Sequence, residues 1–372
     1  MDIQEFKQID RAKLLEAKRD HLSQLDAYVQ DLYRRPRLKH LFVELTQRCN
    51  EHCFHCGSSC TAAGAKDELS LVEWCRVLDE VREDFDASRL MLNVTGGEPL
   101  LREDFFQIMD HANSLGFRWG MTSNATLITP QVARRLAEVG MRTISVSIDG
   151  LPKTHDRLRG LSGGYELAMQ GIQNLIDVGS FSHIQVTTVV NHRTMSELDA
   201  LFEVMCDIDI DSWRVINLEP MGRALLRPDL MCTDDDYRRL FSFIREKRLA
   251  GYPVTYGCSH FLGLDLEAEV RDWYFLCNAG VYTASVASNG DILACLDIPR
   301  NPQTIQGNIR GERLLKVWKE RFELFRHNLS DLSEECASCE HVSLCRGGAH
   351  HSWDYDHGRQ MVCLRSVLFA NA

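Results

Sequence analysis

From residue 39 to about 220 the chain alternates short apolar stretches with helical ones, a pattern that predicts repeated βα units and a parallel sheet. The strand candidates are His40–Thr46, Arg89–Thr95, Phe117–Ser123, Thr143–Asp149, His183–Val190 and Ser212–Leu218. Within them apolar and polar residues take turns: Leu41, Val43 and Leu45 against Glu44 and Thr46, Leu92 and Val94 against Asn93 and Thr95. Ile144, Val146 and Ile148 likewise oppose Ser145, Ser147 and Asp149, and Ile184 and Val186 oppose Gln185 and Thr187. A flat sheet covered on both faces favours unbroken apolar runs, so one polar face per strand suits a barrel or half-barrel with a wet interior. Ligands then belong at the C-terminal ends of the strands.

The helices between the strands carry their own signals, with Ser70 and Glu73 spaced as a capping box, Pro130 after Thr129, and Gly140 as a stop. Three regions follow. Residues 1–38 read as a helical segment, with Leu14, Leu15, Leu22, Leu25 and Val29 near helical spacing and Pro36 ending it. Residues 39–225 form the barrel. Residues 226–372 form a linker and a loop-rich part in which strands become sparse, and half of the 14 cysteines lie between Cys258 and Cys363.

No apolar run is long enough to span a membrane, and the charged N-terminal stretch does not resemble a signal peptide. The expected location is the cytoplasm, without membrane association. A net charge of -11 with no basic block argues against nucleic acid as a partner. In a reducing compartment the cysteines point to metal binding or catalysis and not to disulfides.

Cys49, Cys53 and Cys56 follow the first strand with the spacing C-x3-C-x2-C. Three soft ligands on one loop suit an iron-sulfur cluster whose usual complement is four cysteines, leaving one iron open to a substrate or cofactor. Zinc is the alternative, but the paired two-residue spacings of a zinc ribbon are missing. Cys60, four residues on, has no evident role.

With these motifs the chain resembles the radical SAM superfamily over residues 40 to about 220. The resemblance rests on Cys49, Cys53 and Cys56, on "GGEP" (Gly96 to Pro99) after the second strand, on "SNAT" (Ser123 to Thr126) after the third and on "SVSIDG" after the fourth. It implies a partial (β/α)6, TIM-like barrel of α/β class and a [4Fe-4S] cluster that binds S-adenosylmethionine. By the same resemblance Gly96, Gly97 and Glu98 hold the amino group of the cofactor, with Ser123 and Asn124 beside them. Ser147 and Asp149 contact its methionine or ribose part, Arg159 of "HDRLRG" its carboxylate, Asn191 its ribose or adenine side, and His55 sits over the adenine. The implied chemistry is reductive cleavage to a 5'-deoxyadenosyl radical, with the electron from a flavodoxin- or ferredoxin-like donor.

The C-terminal cysteines resemble the SPASM extension of that superfamily, a smaller loop-rich domain with two auxiliary iron-sulfur clusters. Cys336, Cys339, Cys345 and Cys363 match the outer cluster, and Cys258, Cys277 and Cys295 the inner one, with Gly290 in register. Zinc remains an alternative for the outer set. The fourth inner ligand should stand three residues past Cys345, where Ala349 is found, so the inner cluster has either an open iron or a ligand such as His350, His351 or Asp354. Cys75 reads as helix packing, and Cys206 and Cys232 have no partner in sequence.

SPASM enzymes mostly act on peptides or proteins, so the resemblance implies an oxidoreductase that matures a ribosomally made peptide. A thioether or other side-chain crosslink is the expected product, because an open inner iron could prepare a peptide thiolate. The segment of residues 1–38 before the first strand is too short for an ordinary leader-binding domain, so the leader is expected to need a separate partner protein or a surface of the barrel itself. Alternatives are a sulfatase-type maturase forming formylglycine, a radical SAM enzyme for a small metabolite and, from another class, an electron carrier without turnover. Formylglycine maturases place an aspartate directly after the cysteine matching Cys295; here Leu296 intervenes and Asp297 is the candidate catalytic residue.

Overall fold

The computed structural model describes residues 24–257, 260–272 and 274–369. Leu14, Leu15, Leu22 and Cys258 lie outside them. Each predicted strand is present: β1 (His40–Glu44), β2 (Met91–Thr95), β3 (Arg118–Ser123), β4 (Met141–Ser147), β5 (His183–Val190) and β6 (Ser212–Asn217) pair in parallel, each with the next. Boundaries move where capping wins. Asp86 accepts from the Ser88 amide and turns Ala87–Arg89 into a short 3-10 helix, so β2 starts at Met91.

Helix α1 covers residues 24–34. Helices α2 (Leu71–Asp84), α3 (Phe105–Ser114), α4 (Pro130–Glu138), α5 (Pro152–Arg159), α6 (Gly164–Val178), α7 (Leu198–Cys206) and α8 (Asp234–Leu249) follow the first six strands. The capping box at Ser70 and Glu73 forms, and Thr129 caps α4 ahead of Pro130. The apolar strand residues Leu41, Val43, Leu92, Val94, Ile144 and Val146 pack in one core with Trp74, Val77, Ile108, Leu136 and Leu175 from these helices. Apolar burial on the outer face is therefore what closes the βα units onto the sheet.

The opposite face is polar, as expected, but much of it is not wet. Glu44 is 1% exposed and Ser285 is fully buried. Buried polar groups need partners. Glu44 accordingly pairs with Arg300 at 2.6 Å, and Ser145 and Thr187 hydrogen-bond at 2.7 Å.

The sheet also runs past residue 225. β7 (Val254–Tyr256) pairs in parallel with β6, and at the other side β8 (Thr283–Val286) pairs in parallel with β1. The antiparallel strands β9 (Asp291–Leu293) and β10 (Gly307–Asn308) complete a ten-stranded sheet. Helix α1 packs Leu25, Val29 and Leu32 against Tyr274, Val281 and Tyr282, so it is anchored to the C-terminal third of the chain.

Candidate active site at the strand ends

The loop that carries Cys49, Cys53 and Cys56 lies directly against the end of β2. Gly97 donates its amide to Thr46 O at 2.8 Å and Glu98 donates to Arg48 O at 2.8 Å. A Cβ on Gly97 would meet Arg48 O at 2.1 Å, so this approach requires a glycine. Asn124, after β3, reaches the same loop through Asn50 (Nδ2 to Oδ1, 2.9 Å), and Asn50 in turn donates to Thr126 at 2.8 Å.

These elements surround a cavity of about 370 Å³. At one end stand Cys49, Cys53 and Cys56 with Gly96 and Gly97, flanked by Ser123, Asn124, Ser147, Arg159 and His55. Asn217 at the end of β6, Glu219 just after it, Gly257 after β7, and Asp297 and His351 from the C-terminal third complete the lining. The structure thus brings most of the sequence-predicted residues to one cavity, Asp297 included.

Three predicted residues stand behind it. Glu98 is fully buried and accepts from Ser123 Oγ at 3.0 Å and from the Asn124 amide at 2.9 Å. Burial pushes its carboxyl up to about 7 against the pull of those hydrogen bonds. Asp149 pairs with Arg159 Nη2 at 2.7 Å and with His55 Nε2 at 3.0 Å. Burial alone would raise Asp149; Arg159 and His55 reverse that and hold it well below the usual carboxylate range. Asn191, also fully buried, accepts from the Arg193 amide at 3.0 Å and so caps the turn after β5.

Several residues of the site were missed by sequence reasoning. Glu51, between two of the cysteines, is 3% exposed and binds Arg159 Nη1 at 2.7 Å. Arg159 therefore sits between two buried carboxylates, Glu51 and Asp149. Cys60 is buried against Cys56, and its hydrogen bond to Cys56 pulls the Cys56 thiol well down. Burial drives Cys49 up to about 11 and Cys53 up as well. After β6, Glu219 Oε1 accepts from Asn217 Nδ2 at 2.8 Å and lies 2.7 Å from His260 Nε2, while Oε2 is buried with no hydrogen-bond partner among the described residues. The only sequence signal for Glu51 and Glu219 is position, inside the cysteine motif and just past a strand end.

In the C-terminal third, Cys345 is pushed up to about 12, first by burial and then by Cys363, Cys336 and Cys339, so these four cysteines sit within one electrostatic neighbourhood. Cys277 and Cys295 both act on Tyr355, whose hydroxyl lies 2.8 Å from His350 Nδ1. Of the candidates for a further inner ligand, His351 faces the central cavity, His350 bonds Tyr355, and Asp354 bonds the exposed His357 at 2.8 Å.

The profile of the radical SAM superfamily matches residues 43–205, and that of an iron-sulfur cluster-binding domain, SPASM, matches residues 277–340. The mycofactocin maturase MftC of Mycolicibacterium smegmatis is 31% identical over 313 residues, 82% of this chain and 76% of that protein. The chain belongs to the radical SAM superfamily. This radical SAM enzyme with a SPASM domain is also 28% identical to the AdoMet-dependent heme synthase of Methanosarcina barkeri over 330 residues, 84% of this chain and 90% of that one. In fold it matches the Streptococcus suis SuiB structure with S-adenosylmethionine, with a TM-score of 0.68 at 20% identity over 85% of this chain and 74% of that chain. It binds S-adenosylmethionine and iron-sulfur clusters. Three soft thiols on one wall beside a glycine cradle suit a cluster with one open iron. The residues present fit both groups.

Proposed function

We propose that the enzyme modifies a ribosomally made peptide, forming a thioether or another side-chain crosslink. The observation that carries this reading is the cavity. At about 370 Å³ it lies near the lower end of the roughly 300–1,000 Å³ usual for ligand pockets. It must receive the reacting end of the cofactor as well as the reacting group. A substrate larger than the reacting group then stays partly outside, and likeness to a protein named as a maturase supports the same reading.

In this reading Cys49, Cys53 and Cys56 hold the catalytic cluster, and Gly96, Gly97, Glu98, Ser123, Asn124, Ser147 and Arg159 receive S-adenosylmethionine. His55, Asp149 and Asn191 support them from behind or beside. S-adenosylmethionine supplies a 5'-deoxyadenosyl radical when cleaved by one electron. Glu219, Asp297 and His351 face the substrate. Cys336, Cys339, Cys345 and Cys363 hold the outer auxiliary cluster. Cys277 and Cys295, with Cys258, hold the inner one, whose remaining position would take the peptide thiolate. In this reading helix α1 anchors the C-terminal third, residues 39–225 generate the radical and residues 226–372 carry the auxiliary clusters, while β7 to β10 extend the sheet of the first part. A flavodoxin- or ferredoxin-like donor and a leader-binding protein complete the system in the cytoplasm. Among the described residues no helix is long and apolar enough to cross a membrane.

Two observations favour other substrates. Asp297 on the cavity wall would suit formylglycine formation, and the likeness to a heme synthase would suit a small molecule. The deciding experiment incubates the anaerobically reconstituted enzyme with S-adenosylmethionine, dithionite and cysteine-containing peptides encoded beside its gene. A product lighter by two hydrogens and one alkylatable thiol supports the thioether. A new aldehyde would replace it with formylglycine formation. Unmodified peptides, with cofactor cleavage stimulated by a heme precursor, would overturn the peptide reading.

A further inference from the structure

The cysteine loop is held on its second side by the segment that leaves β6. Arg223 donates Nε to Cys53 O at 2.7 Å and Nη1 to Cys60 O at 2.6 Å, and its backbone amide donates to Cys56 O at 3.0 Å. Three carbonyls of one loop thus converge on one residue. Gly222 makes the approach possible: its φ is 52°, and a Cβ there would meet Gly57 O at 2.2 Å and Cys56 O at 2.4 Å. Arg227 covers the ring of Phe54 at 4.7 Å, adding a second contact between the two segments. The Arg223 guanidinium lines the cavity and forms no ion pair with a carboxylate among the described residues.

We propose that Arg223 is a positioning residue that locks the cysteine loop onto the segment after β6 and raises the reduction potential of the cluster held there. The inference rests on the proposed ligation by Cys49, Cys53 and Cys56. A planar guanidinium can bridge two carbonyls in a fixed geometry, which an ammonium on a flexible stem does less well. Reduction adds a negative charge to the cluster, and a fixed cation in a poorly screened cavity favours that state. The same arginine joins the cysteine loop to the strand end that carries Asn217 and Glu219, so the electron-accepting and substrate-facing walls form one unit.

The test compares R223K, R223Q and R223M with the reconstituted wild type. Iron release to a chelator is followed in each, together with an EPR-monitored redox titration with and without S-adenosylmethionine, which perturbs only the cluster that binds it. R223Q and R223M should lose that cluster's iron at least about 10-fold faster, the size usual for outer-shell partners, and titrate at a more negative potential. R223K should keep the potential near wild type while losing iron faster, because it keeps the charge without the fork. An unchanged potential in R223Q overturns the proposal, since the cation would then act only as packing. If R223M does not fold by circular dichroism, R223K decides: iron release at the wild-type rate overturns the latch. Joint replacement of Cys49, Cys53 and Cys56 by alanine separates this failure from failure of the ligation reading, which alone predicts loss of the S-adenosylmethionine-sensitive signal.

Discussion

At the scale of single residues, Glu98 and Glu219 show how burial gives two carboxylates opposite tasks. Glu98 is raised to about 7 by burial, so near neutrality it is partly protonated in the cofactor-free protein. Its folded value lies above the unfolded one, so this group's contribution to stability is present at acid pH and is lost as pH rises through about 7. An arriving ammonium needs the ionised form. The thermal stabilisation given by S-adenosylmethionine should therefore be larger at about pH 8 than at about pH 6, and Glu98→Gln should flatten that difference in a melting series. Glu219 is different: burial would raise it, but the facing His260 holds it below the usual range and keeps it charged. With its second oxygen unpartnered, it is suited to accept a hydrogen bond from the substrate. Glu219→Gln should leave cofactor cleavage without substrate unchanged and lower product formation about tenfold or more, read as separate 5'-deoxyadenosine and product yields.

Among the elements, the decisive meeting is between the end of β2 and the cysteine loop. Adding one carbon at Gly97 forces a carbonyl contact of 2.1 Å to open. Gly97→Ala should cost about 1–3 kcal/mol and release iron from the catalytic cluster, seen as a lower denaturation midpoint together with a reduced iron count. The cysteine spacing, the glycine pair and the strand ends carrying Ser123 and Ser147 were all legible in the sequence, because each follows from a local pattern of period two or from a short motif. Glu51, Arg223 and the pair of Glu219 with His260 were not. Their roles arise from contacts across many residues, such as Arg223 reaching back to Cys53, and no periodicity announces such a contact. Asp149 and Asn191 were placed correctly at strand ends, but which side of the wall they occupy depends on Arg159 and on the turn at Arg193.

For the whole molecule, the proposed ligand sets make a countable prediction. Wild-type protein reconstituted without oxygen should hold about twelve irons, about eight when Cys49, Cys53 and Cys56 are alanine, and about eight when Cys336, Cys339, Cys345 and Cys363 are replaced. Zinc in place of iron in the last comparison would mean that the outer set is a structural zinc site. The sheet that carries all of this is stitched from both ends of the chain, because β1 has β2 on one side and β8 on the other. During synthesis the first strand therefore keeps one row of backbone donors and acceptors bare until Thr283 has left the ribosome, some 240 residues later. Nascent or truncated chains that stop short of β8 carry an open, sticky edge beside the cysteine loop, which makes the last third of the protein the guardian of the first during its own birth.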